Sequence, residues 1–204
     1  MNPKPLTVGH SNLIVELQSI LEALDTTKLF PKAQPLEIEL GCGDASFLLN
    51  YAKAHPERNF LGVERLGGRI RKLDRKGRRA GLTNLRGVRI ESGYFLEYLV
   101  PPHSAAALHI YFPDPWPKRK HLKNRFINER FPEIAQRVLV PNGIVYLRTD
   151  HEDYFEQMTT VFAASPLFRP AETPLELSAL LTDFETEFQK QGLPTRRSAY
   201  QLVK

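Results

Sequence analysis

Asp114 stands between two prolines in YFPDPWPKRKH (Tyr111 to His121), followed by Trp116, a third proline and an abrupt basic run. A proline on each side removes a backbone donor and pushes the preceding residue out of helical space, so this acid sits on a stiff loop. The apolar, β-forming run AALHIYF just upstream reads as a buried strand, which hangs the carboxylate at a strand's C-terminal end. A second cluster lies in ELGCGDAS, where Gly41 and Gly43 let the backbone approach a ligand closely ahead of a helix start with free N–H groups. Glu64 ends the next strand 21 residues after Gly43, the position at which doubly wound sheets hold a ribose diol with a carboxylate. Nucleoside binding is the chemistry these positions suggest.

The run G-C-G-D-A-S-F lacks the third glycine of a dinucleotide fingerprint, which weakens a nicotinamide reading. Glu39, two residues before Gly41, adds a carboxylate that suits a cationic ligand better than a pyrophosphate. S-adenosylmethionine, with a sulfonium and an ammonium, fits such a turn. The alternative is that Glu39 is a satisfied strand-end carboxylate and the glycines serve only a tight turn. Cys42 reads as a small packing residue.

These groups need a frame. A helix is expected at Leu13 to Leu24, then strand PLEIEL, a helix from Ala45 to Ala54, and strand NFLGVE. In RLGGRIRKLDRKGRRAG, Ile70, Leu73, Gly77 and Ala80 fall at helical spacing among Arg and Lys. Strands NLRGVRI, AALHIYF and GIVYLRTD follow, the last preceded by a helix from Arg125 to Leu139 and a PNG turn. Such alternation predicts an open, mostly parallel α/β sheet covered on both faces, with ligands beyond the strands' C-terminal ends.

At 204 residues and 42% hydrophobic content the chain can bury a full core as one domain. No apolar run approaches the roughly 20 residues that span a bilayer, and the N-terminus lacks a secretion-signal layout, so a cytoplasmic protein without membrane attachment is expected. One cysteine excludes an internal disulfide, and six scattered histidines offer no zinc-ligand spacing, so no metal is expected. Arg65 to Arg89 holds ten Lys/Arg against one acid, whereas Asp150 to Lys190 holds nine Asp/Glu against two Lys/Arg. A basic middle suits a phosphate backbone, although a charge run is also a common solvated face.

ELGCG with Glu39, the strand-end Glu64 and above all FPDPWPKRKHLKNRF resemble the bacterial tRNA (guanine-N7-)-methyltransferases, from about Pro35 to the C-terminus. The resemblance implies a class I, Rossmann-like, S-adenosylmethionine-dependent methyltransferase fold with a mostly parallel seven-stranded sheet and helices on both faces. It places a catalytic core in residues 35–204 and leaves residues 1–30 as an N-terminal helical segment that covers the sheet or contacts RNA. It implies methyl transfer to N7 of a variable-loop guanosine, position 46 of tRNA, by a monomer or homodimer. By the same resemblance Glu39, Glu64 and Glu91 meet the cofactor, beside Gly41 and Gly43 that the turn itself points to, and Asp114 is catalytic. Asp114, Lys118, Asp150 and the stretch Thr186, Glu187, Phe188, Gln189 meet the substrate; Lys120, His121, Lys123 and Arg125 meet RNA. Two departures stand out: Glu91-Ser92 replaces the family's Asp-Ala, and Gln189 replaces the glutamate of its Thr-x-Phe-Glu pattern.

Guanine N7 carries a free lone pair, so positioning should dominate over base catalysis, with Asp114 on the N1/N2 edge offsetting the charge that develops. Trp116 or Tyr111 offers a stacking face for a displaced base, with core packing as the alternative. His121 and His151 read as surface or cap residues, and Asp150 as a ligand group or a helix N-cap. Competing readings are a methyltransferase acting on an exocyclic amine, whose motif would need adjacent prolines, and a non-catalytic RNA-binding protein, which would have lost Glu39, Glu64 or Asp114.

Overall fold

The computed structural model describes residues 12–203. The strands are β1 (Ile14–Val15), β2 (Leu36–Leu40), β3 (Asn59–Val63), β4 (Leu85–Val88), β5 (Ala105–Tyr111), β6 (Leu139–Thr149), β7 (Phe168–Ala171) and β8 (Arg196–Leu202). They form one sheet in the order β1-β4-β3-β2-β5-β6-β8-β7, parallel except where β8 runs against β6 and β7. Helices α1 (Ser46–Ala54), α2 (Gly67–Arg79), α3 (Ser92–Tyr94), α4 (Phe131–Val138), α5 (Glu152–Ala163), α6 (Leu175–Ala179) and α7 (Asp183–Lys190) fill the connections. Strand order reverses at β2, whose neighbours are β3 and β5. The crevice for a ligand in such a sheet opens at that point, beyond the ends of β2 and β5.

Alternation along each strand divides the core in two. Ile38, Leu61, Leu108 and Val145 face α4 and α5, where they meet Phe131, Ala135, Tyr154 and Phe162. The opposite face receives Phe47, Leu48 and Tyr51 of α1 with Ile70 and Leu73 of α2. That face is unusually polar at its centre. Glu37, Glu39, His109 and Arg148 all project there and are at most 4% exposed.

Three expectations are corrected. No α-helix forms over Leu13 to Leu24: Ile14 and Val15 pair in parallel with Gly87 and Val88, making eight strands rather than seven. A strand wins because this segment covers the edge of β4: the Gly87 N–H donates to the Leu13 carbonyl at 2.9 Å, and Leu13 packs over Gly77 with its own N–H on Asp74 Oδ1 at 2.8 Å. The described part of the segment expected to be helical thus covers the sheet as a strand edge, with a 3₁₀ turn at Thr26–Lys28; residues 1–11 lie outside the described residues. The helix expected from Arg125 begins only at Phe131, after a 3₁₀ segment Arg119–Asn124, with Pro132 in its first turn. The PNG turn lies inside β6 as an irregularity, Asn142 adopting φ +64°.

Among the described residues no helix is long and apolar enough to cross a membrane, and no group of three His, Cys, Asp or Glu is placed to hold a metal.

Gly62 in β3 shows how closely the helices sit on this sheet. A Cβ there would meet Cys42 Sγ and Leu73 Cδ1 at 2.8 Å and Leu48 Cδ2 at 3.0 Å. Gly62→Ala should cost about 1–3 kcal/mol by overpacking, lowering the melting temperature by roughly 3–10 °C. Calorimetry checks this, and an unshifted transition would mean that α1 and α2 tolerate displacement.

Candidate active site

At the end of β2 the chain turns sharply through Gly41 (φ +80°) and Gly43 (φ +55°), a region that non-glycine residues enter only with strain. The N–H groups of Gly41 and Cys42 both donate to the Val63 carbonyl at 2.9 Å, tying the turn to β3. Glu64, buried at the end of β3, completes the fixture. Its Oε2 accepts from the Gly43 N–H at 3.1 Å and its Oε1 from the Leu66 N–H at 2.8 Å. Each oxygen keeps a lone pair for a ligand hydroxyl.

Above the turn lies a cavity of about 400 Å³. Glu39, Gly41, Gly43 and Phe47 form its base, Arg69 and Lys72 of α2 one side, Tyr111 and Phe112 another. The first turn of α7 forms the remaining wall through Thr182, Asp183, Phe184 and Glu187. No atom stands within 4 Å of where a Cβ would project from Gly41 or Gly43, so the backbone is open to a ligand.

Glu39 is 4% exposed and its Oε2 has no hydrogen-bond partner. Burial pushes its carboxyl up to about 8, with Asp44 and Glu64 adding repulsion and Arg148 opposing. A buried carboxylate without a donor is satisfied by a cation, so the sulfonium and ammonium of S-adenosylmethionine fit this position. Asp44 differs: burial raises it, yet the Lys76 ammonium at 2.7 Å, with hydrogen bonds from Asp183 and the Ser46 N–H, holds it low. Burial pushes the Cys42 thiol well up, consistent with a packing role.

The C-terminal wall is held by an ion network that sequence reading missed. Arg148, 1% exposed, donates to Glu185 Oε2 at 2.7 Å and to the Leu180 carbonyl at 2.8 Å, with its guanidinium 4.2 Å from the Tyr111 ring centre. Glu185 also accepts from Arg197 at 2.6 Å and from the Thr182 N–H at 2.9 Å, closing a capping box. The available signal was an arginine inside the otherwise apolar strand GIVYLRTD. Beside it, His109 joins Glu37 Oε2 at 2.7 Å to the Tyr111 hydroxyl at 2.8 Å, entirely out of solvent.

This network corrects the placement of the Thr-x-Phe-Glu pattern. The sequence reading set it on Thr186, Glu187, Phe188 and Gln189, with Gln189 as a departure. TDFE, Thr182 to Glu185, carries the same pattern one helical turn earlier with its glutamate intact, and it is Thr182 and Asp183 that reach the cavity. Of the later four only Glu187 lines it; Phe188 packs on Phe112 at 5.5 Å, while Thr186 and Gln189 are exposed. One turn of helix separates two runs that look alike as text.

Glu39, Gly41 and Gly43 therefore meet at the cavity, with Glu64 bracing them. Glu91 stands apart. It is exposed at the end of β4, its carboxylate accepting from the Gly93 and Tyr94 N–H groups at 2.8 and 2.7 Å as the cap of α3. Asp114 is exposed two residues beyond Phe112, on a loop whose flanking Phe112 (φ +52°) and Trp116 (φ +43°) both adopt left-handed backbone. Such strain in bulky residues persists only where the surroundings enforce it. Lys118, Lys120 and Lys123 are exposed, and His121 stands 5.6 Å from Trp116, ring to ring. Asp150 is half-buried at the end of β6; the N-cap of α5 is His151, whose Nδ1 accepts from the Tyr154 N–H at 3.3 Å.

Arg125 is a correction. Expected to grip RNA, it is 2% exposed, with every side-chain nitrogen donating inward to Pro115, Gln157 or Asp153. A guanidinium this buried, with each of its three nitrogens already donating to the protein, is not placed to meet a phosphate.

A family model described as "Putative methyltransferase" matches residues 33–198. A tRNA (guanine-N(7)-)-methyltransferase of Sodalis glossinidius is 35% identical over 176 residues, covering 84% of this chain and 74% of its own. One from Vibrio parahaemolyticus is 32% identical over 205 residues, covering 92% and 83%. Among solved structures the 16S rRNA methyltransferase KamB is similar at TM-score 0.64 and 16% identity, covering 89% of this chain and 95% of that one. The [4+2]-cyclase SpnF is similar at TM-score 0.58 and 12% identity, covering 85% and 77%. These structural likenesses concern the fold alone, and a cyclase among them means that the fold does not name the reaction.

Glu39 sets a pH dependence. Its folded value, about 8, lies above the ordinary 4.5, so the protonated form favours folding and that contribution is lost as pH rises between those values. Across this window the ligand-free protein should lose stability relative to Glu39→Gln, with a slope approaching about 1.4 kcal/mol per pH unit. Urea unfolding from pH 5 upward measures it; parallel profiles would show that Glu39 is not desolvated.

Proposed function

This chain belongs to the tRNA (guanine-N7-)-methyltransferase family, and from that membership we propose that it transfers a methyl group from S-adenosylmethionine to N7 of guanosine 46 in the variable loop of tRNA. The observation that carries the cofactor assignment is Glu39, a buried and unpartnered carboxylate at the base of a cavity beside the glycine turn. The guanine assignment rests on membership together with the stiff loop that presents Asp114. A tRNA substrate would place the enzyme's work in the cytoplasm.

S-adenosylmethionine, when bound, supplies an electrophilic methyl group on a sulfonium centre. Glu39 would lie against its positive end, Gly41 and Gly43 would admit it to the backbone, and Glu64 would accept from ribose hydroxyls. Glu91, exposed beyond β4, has lone pairs beyond those used in capping α3 and would accept from the adenine amino group.

On the substrate side Asp114 would accept from the N1 and N2 edge of guanine. That contact orients N7 and offsets the positive charge the purine ring gains on methylation. Guanine N7 has no proton to lose, so no general base is assigned. Holding the nucleophile about 3 Å from the methyl in line with the departing sulfur supplies most of the effect. Exposed Lys118, Lys120 and Lys123 would meet tRNA phosphates, and Trp116 would stack on the displaced base.

The first test incubates the protein with labelled S-adenosylmethionine and unmodified tRNA and identifies the labelled nucleoside after digestion. 7-Methylguanosine is expected; label in another nucleoside would reassign Asp114, and tRNA binding without transfer would favour a non-catalytic role. Asp114→Ala should lower turnover by about a hundredfold or more while cofactor affinity, measured calorimetrically, changes little. A matching loss of cofactor binding would move Asp114 off the guanine side. Replacing Lys118, Lys120 and Lys123 together with Gln should reduce the slope of log affinity for tRNA against log salt by roughly two to three. An unchanged slope would remove the cluster from the interface.

A further inference from the structure

The loop from Phe112 to Pro117 holds an exposed carboxylate between two left-handed residues, so the direction of Asp114 is set through its backbone. That backbone is held at its start by the Phe112 N–H donating to the Arg148 carbonyl at 2.8 Å, and beyond Asp114 by Arg125, whose Nε donates to the Pro115 carbonyl at 2.8 Å. Its remaining nitrogens are bound by α5: Nη1 donates to Gln157 Oε1 at 2.8 Å and Nη2 to the Asp153 carboxylate. The guanidinium lies 4.8 Å from the centre of the Tyr154 ring. The same helix grips the next residues too, since the Ile127 N–H donates to the Tyr154 hydroxyl and the Ile127 carbonyl accepts from Gln157, each at 2.9 Å.

Burying a guanidinium is costly unless it is hydrogen-bonded, and here each of its three nitrogens has a partner: one carbonyl, one amide and one carboxylate. Lysine, a point donor on a flexible stem, could not reproduce three directions at once. Helix α5 begins directly after Asp150 and His151 at the end of β6. Arg125 therefore ties the loop leaving β5, which carries Asp114, to the helix that starts beside Asp150. Two groups assigned to the substrate are held in one frame by a side chain that touches neither.

We propose that Arg125 is a positioning residue for methyl transfer: braced by Asp153, Tyr154 and Gln157, it fixes the Pro115 carbonyl and thereby aims Asp114. This rests on the reading that Asp114 meets the guanine.

Trp116 is the single tryptophan of the chain and sits in the clamped loop, so its fluorescence reports loop order independently of catalysis. Arg125→Lys and the milder Gln157→Leu, which keeps the arginine but removes its Gln157 brace and the bond to the Ile127 carbonyl, should both raise acrylamide quenching of Trp116 and lower its anisotropy. Single-turnover transfer at saturating cofactor and tRNA should fall about tenfold to a hundredfold in Arg125→Lys and less in Gln157→Leu, with both dissociation constants within about twofold of wild type. A full rate with a loosened Trp116 would overturn the proposal, as would a lost rate with Trp116 unchanged. A weakened tRNA affinity with a smaller salt slope would return Arg125 to the phosphate contacts. If the wild type methylates no guanine N7, the function above fails, and an unchanged Trp116 signal in both variants would refute the clamp separately.

Discussion

Parallel strands joined by right-handed crossovers must all end on the same edge of the sheet, and every group assigned to chemistry here follows from that constraint. Glu39 precedes the turn after β2, Glu64 follows β3, Glu91 follows β4, Asp114 follows β5 and Asp150 follows β6. The geometry that gathers these carboxylates also sets them against one another. Asp44 is matched by Lys76, and Glu64 is bound by backbone N–H groups with Arg69 at 3.8 Å. Glu39 lacks a donor for one oxygen, and for that reason it is the carboxylate that answers to a cation.

The cavity exists only because a C-terminal helix is carried back over this edge. Antiparallel β8 returns the chain to β6, and Arg148 with Arg197 encloses Glu185 to seat α7 against the sheet. A buried ion pair adds little net stability relative to an apolar replacement, yet losing one partner leaves a charge uncompensated. The network's consequence is geometric. It fixes where Thr182 and Asp183 stand, and thus which turn of α7 faces the cavity.

The basic residues of the PDPW segment divide by burial. Lys118, Lys120 and Lys123 point into solvent, where a phosphate can reach them, whereas Arg125 at the end of the same run is enclosed. Arg119 is exposed like the lysines, so the division follows not the residue type but the acceptors that Pro115, Gln157 and Asp153 place around Arg125, whose planar fork suits fixed partners.

Sequence alone determined the alternating α/β order, the glycine turn with Glu39, the strand-end Glu64 and the proline-bound Asp114. These are local properties, written in apolar periodicity and in the backbone limits of glycine and proline. It did not settle the N-terminal segment, where Ile14 and Val15 form a strand only because β4 offers an open edge. Nor did it settle which of two similar runs in α7 meets the site, or that Arg125 faces inward. Those outcomes depend on partners far along the chain: Arg148 for Glu185, Asp153 and Gln157 for Arg125. A charged side chain's role follows from whether acceptors enclose it or water surrounds it, and only the tertiary structure supplies the acceptors.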